Sequence, residues 1–259
     1  MTVKKSRMQP TLVVDNLSPF TPDIVTCLNK LGAKYIQKSF SSLTSVTINS
    51  NDDNNSSNYK YYGHNPGDNA YINNKNKGHS DGANYDKNDN DSRYIVDTDT
   101  HTNNINRTND TNNNLSCDKV ILSGRRMNDR EINIVNSRII RQCFENNIPL
   151  LGICYGAEIL ALTLGGTISK MVMPVQDTIS LKVSKSSSLI SADMKTLLVY
   201  ESHKYCVAKL PEDFESLASS IHCEHEIFCH KEKKLFGTQF HPEKSGADGL
   251  DLLSKFLSL

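Results

Sequence analysis

Between Asn49 and Asn114 the chain holds 30 Asn or Asp residues in 66 positions, and this tract decides where a fold can be built. Asn and Asp side chains compete for backbone hydrogen bonds and add no apolar surface, so the tract cannot offset the entropy lost on ordering it. Its scattered tyrosines (Tyr59, Tyr61, Tyr62, Tyr71, Tyr85, Tyr94) and the Ile95-Val96 patch follow neither a two-residue nor a 3.6-residue period. Residues 49–114 therefore read as a low-complexity, disordered insertion, and residues 1–48 and 115–259 as the two parts of a single domain. His64, His79 and His101 read as bystanders of the tract rather than as a metal-binding or partner-binding arm.

The hydrophobic share of the 259 residues, 37%, is low for a globular chain, and the tract accounts for it. With 29 basic and 29 acidic side chains the net charge is zero, which argues against a nucleic-acid partner gripped through its phosphates. No apolar run reaches the roughly 18 residues of a membrane span, and the opening Met1 to Arg7 leads into no signal-like stretch. The expected location is the cytoplasm, with no membrane partner. The seven cysteines are odd in number and lie singly in apolar segments, as reduced thiols would.

Outside the tract, strands alternate with helices. Leu12 to Val14 reads as a strand, Thr21 to Leu31 as a helix with Ile24, Val25, Leu28 and Leu31 on one face, and Ala33 to Ile36 as a second strand. Lys119 to Leu122, Asn128 to Asn146 and Pro149 to Ile153 repeat the strand–helix–strand pattern. Such repeats predict an α/β fold, a mostly parallel sheet with helices on both faces. Shorter strands are expected at 179–183, 196–199, 205–208, 215–218, 226–229 and 235–240, with a closing helix over 249–257.

Leu150 to Glu158 runs from an apolar strand through Gly152-Ile153-Cys154-Tyr155-Gly156 into a helix. Flanking glycines permit a sharp turn that presents the apex side chain at the carboxyl end of the sheet, a nucleophile elbow with sulfur in place of oxygen. The helix N-terminus is expected to favour the Cys154 thiolate, and the Tyr155 N–H is placed to bind an oxyanion. The competing reading is a structural cysteine between turn glycines. A second segment weighs against that reading: Gly237 to Glu243 is a strand ending in His241, with Glu243 two residues on. A cysteine nucleophile needs a base and the base an orienting group, and Pro242 restricts the turn so that Glu243 can fold back on the imidazole.

These two segments resemble the class I (triad type) glutamine amidotransferases, in Gly-Ile-Cys-Tyr-Gly at 152–156 and Gly-Thr-Gln-Phe-His-Pro-Glu at 237–243. Val13 to Asn16 with Ser18 and Phe20, Ile121 to Gly124, and Glu201 to Tyr205 before Leu210-Pro211 extend the resemblance over most of the chain outside the tract. It implies a flavodoxin-like fold without a cofactor or metal. Cys154 would attack the side-chain amide of L-glutamine, His241 would carry the proton to the departing ammonia, and Glu243 would orient His241. Water would then hydrolyse the thioester. The oxyanion hole implied by position is the backbone at Tyr155 and at Gly124-Arg125, and the substrate-binding positions are Glu158, Lys204 and Tyr205.

Two departures bear on these roles. Family members carry Gly-Gly-Pro or Pro-Gly-Pro at the oxyanion strand, whereas here Ser123-Gly124 is followed by Arg125-Arg126, and the two arginines read as solvated; if position 125 needed φ > 0, arginine would resist it. Glu158 stands where the family carries Gln, replacing two donors with negative charge near the sulfur. No nucleotide-binding fingerprint appears, so the ammonia acceptor is expected to be a separate synthetase chain. The ending His-Pro-Glu-Lys-Ser-Gly resembles the glutaminase subunit of two-chain GMP synthases, whereas the opening Val-Asp-Asn resembles the anthranilate and aminodeoxychorismate synthase subunits. A stand-alone γ-glutamyl peptidase and a non-catalytic regulatory subunit are the remaining alternatives. His222, Cys223, Glu224, His225, Cys229 and His230 carry zinc-ligand chemistry but lack a Cys-x-x-Cys pair, and read as part of the sheet.

Overall fold

The computed structural model describes residues 9–49 and 114–259, so the readings of 50–113, its histidines included, lie outside the described residues. Strands β1 (Thr11–Asn16), β2 (Tyr35–Ser39), β3 (Thr47–Asn49), β4 (Asn114–Ser116), β5 (Lys119–Arg125) and β6 (Leu150–Ile153) are followed by β7 (Thr167–Val183), β8 (Thr196–Lys209), β9 (Phe214–Ser219), β10 (Ile227–His230) and β11 (Leu235–Thr238). The helices are α1 (Thr21–Lys30), α2 (Arg130–Glu145), α3 (Tyr155–Thr163) and α4 (Gly246–Leu257). Nine strands form one sheet in the order β2-β1-β5-β6-β11-β10-β9-β7-β8, while β3 and β4 pair with each other across the tract.

From β2 through β11 the neighbours are parallel, which makes the expected α/β centre. Alternation along the buried strands sorts the core into two layers. Leu12, Val14, Val120, Leu122 and Leu150 face one cluster, closed by Ile132, Val135, Ile139 and Ile140 of α2 and Ile159 and Leu160 of α3. Val13, Ile121, Leu151 and Ile153 face the other, closed by Ile24 and Leu28 of α1 and Leu252, Leu253 and Phe256 of α4. Asp129 caps α2 by accepting from the Glu131 and Ile132 N–H groups, two of the donors that a helix start leaves unpaired.

The antiparallel edge departs from the expected short strands. The segments 179–183, 196–199 and 205–208 belong to two long strands, β7 and β8, paired along most of their length. Burial alternates along β8 and most of β7 is exposed or half-buried, because much of this hairpin is open to solvent, and the apolar runs alone picked out only parts of it. Among the described residues no helix is long and apolar enough to cross a membrane.

Candidate active site

At the carboxyl ends of the central parallel strands, where open α/β sheets place their ligand crevices, β5 ends at Gly124-Arg125 and β6 ends just before Cys154. β11 continues through Gln239 and Phe240 to His241, which bridges to Tyr200 of β8 through its N–H and the Tyr200 carbonyl at 2.9 Å. The parallel register of β6 with β11 brings Ile153 opposite Thr238, so the elbow and the His-Pro-Glu turn leave the sheet side by side.

Cys154 has φ 51° and ψ −106°, and only Leu17 and Asn147 share a positive φ among the described non-glycine residues. Such a conformation costs about 1–3 kcal/mol and persists only where the surroundings impose it. Here they do: the Cys154 N–H donates to the Thr238 carbonyl at 2.7 Å, while its carbonyl accepts from Ala157 and Glu158 and starts α3. Gly152 and Gly156 permit the close passage, since a Cβ on Gly156 would stand 2.5 Å from the Leu122 carbonyl oxygen and one on Gly152 would stand 2.3 Å from the Gly156 carbonyl oxygen.

His241 Nδ1 lies 2.8 Å from Glu243 Oε1, and both side chains are almost wholly buried. That contact assigns Nδ1 as the proton donor and leaves Nε2 as the nitrogen that can take a proton. His241 and Cys154 meet across Gly124: a Cβ built there would stand 3.2 Å from His241 Cε1 and 3.8 Å from Cys154 Cβ. Ser18 Oγ lies 3.3 Å from the same point, and the Phe20 ring packs edge-on against the imidazole at 4.7 Å. The Cys154 sulfur faces the Ser202 carbonyl at 3.9 Å. Neither Phe20 nor Ser202 stands near the cysteine in sequence, and only the fold assigns them these contacts.

The thiol does not rest in the environment expected of it. Burial, and then the Glu158 carboxylate, push the Cys154 thiol well above its ordinary value, outweighing the Tyr155 N–H bond to sulfur and the weaker attraction of the Arg125 charge. The helix start does supply that N–H, but burial outweighs it and favours the protonated sulfur. A testable consequence concerns Glu158. Glu158→Gln removes a negative charge beside the sulfur, and Cys154 should then be alkylated by iodoacetamide several-fold faster at neutral pH, read by mass spectrometry; an unchanged rate would assign the raised pKa to burial alone.

Arg125 corrects the expectation that both arginines are solvated. Arg126 is exposed, but the Arg125 guanidinium stacks 3.9 Å above the Tyr155 ring and donates to Asn133 Oδ1 at 2.7 Å, the same oxygen that accepts from the Tyr155 hydroxyl at 3.0 Å. Its backbone φ is not positive, so arginine meets no steric demand there. Glu158 is buried on α3, where its Oε1 accepts from Gln239 Nε2 at 3.2 Å, and burial raises its own pKa. Lys204 is exposed and Tyr205 half-buried on β8. The residues weighed as a zinc set are dispersed: His222 and Glu224 are exposed, Cys229 packs in the core layer under α1 and α4, and the His230 ring packs against Phe144 and Phe214.

With this geometry, the chain is similar to known proteins in consistent ways. The family model for glutamine amidotransferase class-I matches residues 88–258. A glutamine-hydrolysing GMP synthase subunit of Thermoplasma acidophilum is 32% identical over 144 residues, covering 55% of this chain and 72% of that one. The glutamine-hydrolysing GMP synthase of Acetivibrio thermocellus is 38% identical over 118 residues, which cover 45% of this chain and 23% of the relative, so this chain matches about a quarter of that protein. Among solved structures, a Thermoplasma acidophilum protein described as a GMP synthase subunit superposes with a TM-score of 0.64 at 22% identity, over 97% of this chain and 94% of that one, which establishes the shared fold. An elbow cysteine, a histidine backed by a carboxylate at the ends of parallel strands, and a family match over most of the chain lead to one conclusion: this protein belongs to the class I glutamine amidotransferases.

Proposed function

We propose that the chain hydrolyses L-glutamine to glutamate and ammonia through a thioester on Cys154, and passes the ammonia to a separate synthetase chain that forms GMP. The observation that carries the reading is the buried His241–Glu243 pair, 2.8 Å between Nδ1 and Oε1, beside the strained Cys154. Sulfur attacks the side-chain carbonyl carbon as the thiol proton moves to His241 Nε2, and the tetrahedral oxygen takes hydrogen bonds from the Tyr155 and Arg125 N–H groups, assigned by their positions in the family motif. His241 then protonates the leaving nitrogen, and the C–N bond breaks to release ammonia. Water, deprotonated by the same imidazole, cleaves the thioester to glutamate and restores the thiol. Glu158, Lys204 and Tyr205 are assigned to the wall that receives the substrate's polar groups. A cytoplasmic setting fits the seven free thiols.

The GMP assignment rests on the relatives' names and on the 72% of the Thermoplasma acidophilum protein that the similarity covers. Its test follows amide-labelled ¹⁵N-glutamine. Purified chain alone should release labelled ammonia and glutamate, and addition of a GMP synthase synthetase chain with its nucleotide substrates should carry the label into GMP. Hydrolysis without transfer would reject the acceptor, and absence of hydrolysis under both conditions would reject the enzyme reading.

Glu243→Gln probes the orienting group. The amide oxygen can still accept from Nδ1, but the charge that stabilises imidazolium is lost, so kcat/KM for glutamine should fall about 100-fold or more. A fall below about threefold would show that His241 needs no carboxylate.

A further inference from the structure

We propose that Glu201, His203 and Glu226 form a structural site for a divalent transition-metal ion, of which Zn²⁺ is the best match, beneath the catalytic crevice. Glu201 and His203 are two residues apart on β8 and therefore share a face, and Glu226 directly precedes β10. One ligand atom from each lies within 4.8 Å of the others, in a place where both carboxylates have no solvent exposure.

The orientations are those of ligands. His203 Nδ1 lies 2.8 Å from the Tyr205 carbonyl, which can only accept, so Nδ1 carries the hydrogen and Nε2 is aimed at Glu201 Oε2, 3.3 Å away. Metal-bound histidines are oriented in this way, through the nitrogen that does not touch the ion. Glu226 Oε1 is held by the Ser220 hydroxyl at 2.6 Å, and the Gln239 N–H fixes the Glu226 backbone at 2.8 Å. What remains are two buried carboxylate oxygens, Glu201 Oε1 and Glu226 Oε2, each without a hydrogen-bond partner.

A divalent cation would balance the charge of the ionised group. With both carboxylates ionised and the imidazole neutral, as ligands to an ion would be, the group carries two negative charges, and no Lys or Arg among the described residues forms an ion pair with either carboxylate. Protons on Glu226 and His203 would balance the charge in place of an ion, and retention of no metal would be their signature. A proton between Nε2 and Glu201 would also sit across 3.3 Å, long for a charge-assisted hydrogen bond, normally about 2.7–2.9 Å. That separation matches the edge of a tetrahedron whose ligands sit about 2.0 Å from a zinc ion. Calcium, with six to eight oxygen ligands, needs more donors than these three side chains provide. The remaining coordination position falls to a second carboxylate oxygen or a water. The ion would tie β8 to the start of β10 and so steady Tyr200 to Tyr205, whose Tyr200 and Ser202 carbonyls contact His241 and Cys154.

The test uses the full chain and reads metal, independently of glutamine turnover. After stripping with EDTA, incubation with Zn²⁺ and gel filtration, elemental analysis should find about one zinc per chain, and Co²⁺ should give the intense visible bands of a tetrahedral site. Glu226→Gln and His203→Gln should each weaken zinc binding at least about 100-fold. Folded, stripped wild-type protein that retains neither metal would overturn the proposal. So would a folded Glu226→Gln or His203→Gln variant that binds zinc as wild type does, because the ion would then sit elsewhere. If one variant fails to fold, the other and the wild-type stoichiometry still decide.

Discussion

Replacing Cys154 with alanine should lower glutamine hydrolysis by at least about 1,000-fold while leaving the protein folded. The residual rate would come from the surrounding hydrogen-bond donors and from binding, which act without a nucleophile. Alanine changes little else, because Cβ remains and the positive φ is imposed by the bonds of Cys154 to Thr238, Ala157 and Glu158. A glycine at the same position separates chemistry from strain. Cys154→Gly should be equally inactive yet about 1 kcal/mol more stable to urea than Cys154→Ala, because glycine alone adopts φ 51° and ψ −106° without a Cβ clash. Substantial hydrolysis by either variant would place the nucleophile elsewhere and remove the thioester from the proposed reaction. Equal stability of the two would show that the elbow stores no strain.

The second large effect is expected far from the sulfur. Gly249 lies in the first turn of α4, and a Cβ there would stand 1.9 Å from the Pro242 carbonyl oxygen and 2.7 Å from its carbon. Both are backbone atoms, so the clash cannot be relieved by turning a side chain. Gly249→Ala must push α4 away from the turn that carries His241 and Glu243, and should cost about 3 kcal/mol, the upper range for overpacking a tight site. At about 2–4 °C per kcal/mol for a domain of this size, the melting temperature should fall by about 10 °C. Because His241 and Glu243 move with Pro242, kcat should fall with stability even at temperatures where the variant is folded. Thermal melts and glutamine turnover measured on the same preparation check both parts; wild-type stability would mean that the helix and turn are not in the contact described.

How much of this was legible beforehand differs from one element to the next. The parallel strands β1, β5 and β6 and the helices between them announce themselves, because strands buried on both faces need unbroken apolar runs and the covering helices need one apolar face each. The long β7–β8 hairpin was only partly visible, since a solvent-facing antiparallel pair is held by backbone bonds that do not depend on side-chain type. Within the site, Cys154, His241 and Glu243 were legible as candidates because a sharp turn needs flanking glycines and an orienting carboxylate two residues away needs a restricted turn. The rest depends on distance in space. Arg125 looked solvated until Tyr155 and Asn133 were found beneath it, and the helix start suggested a thiolate until burial and Glu158 outweighed it.

By itself, the sequence determined the α/β alternation and the elbow and His-Pro-Glu turn, because these follow from local sterics and from the periodicity of apolar residues. Only the tertiary structure decided that β6 and β11 lie side by side, so that two turns far apart in the chain meet across Gly124. It alone decided the electrostatics too: Glu158 beside the sulfur, and Glu201, His203 and Glu226 gathered in the interior. The physical reason is that pairing register and burial are collective properties, and a charge's energy depends on what surrounds it once water has been excluded.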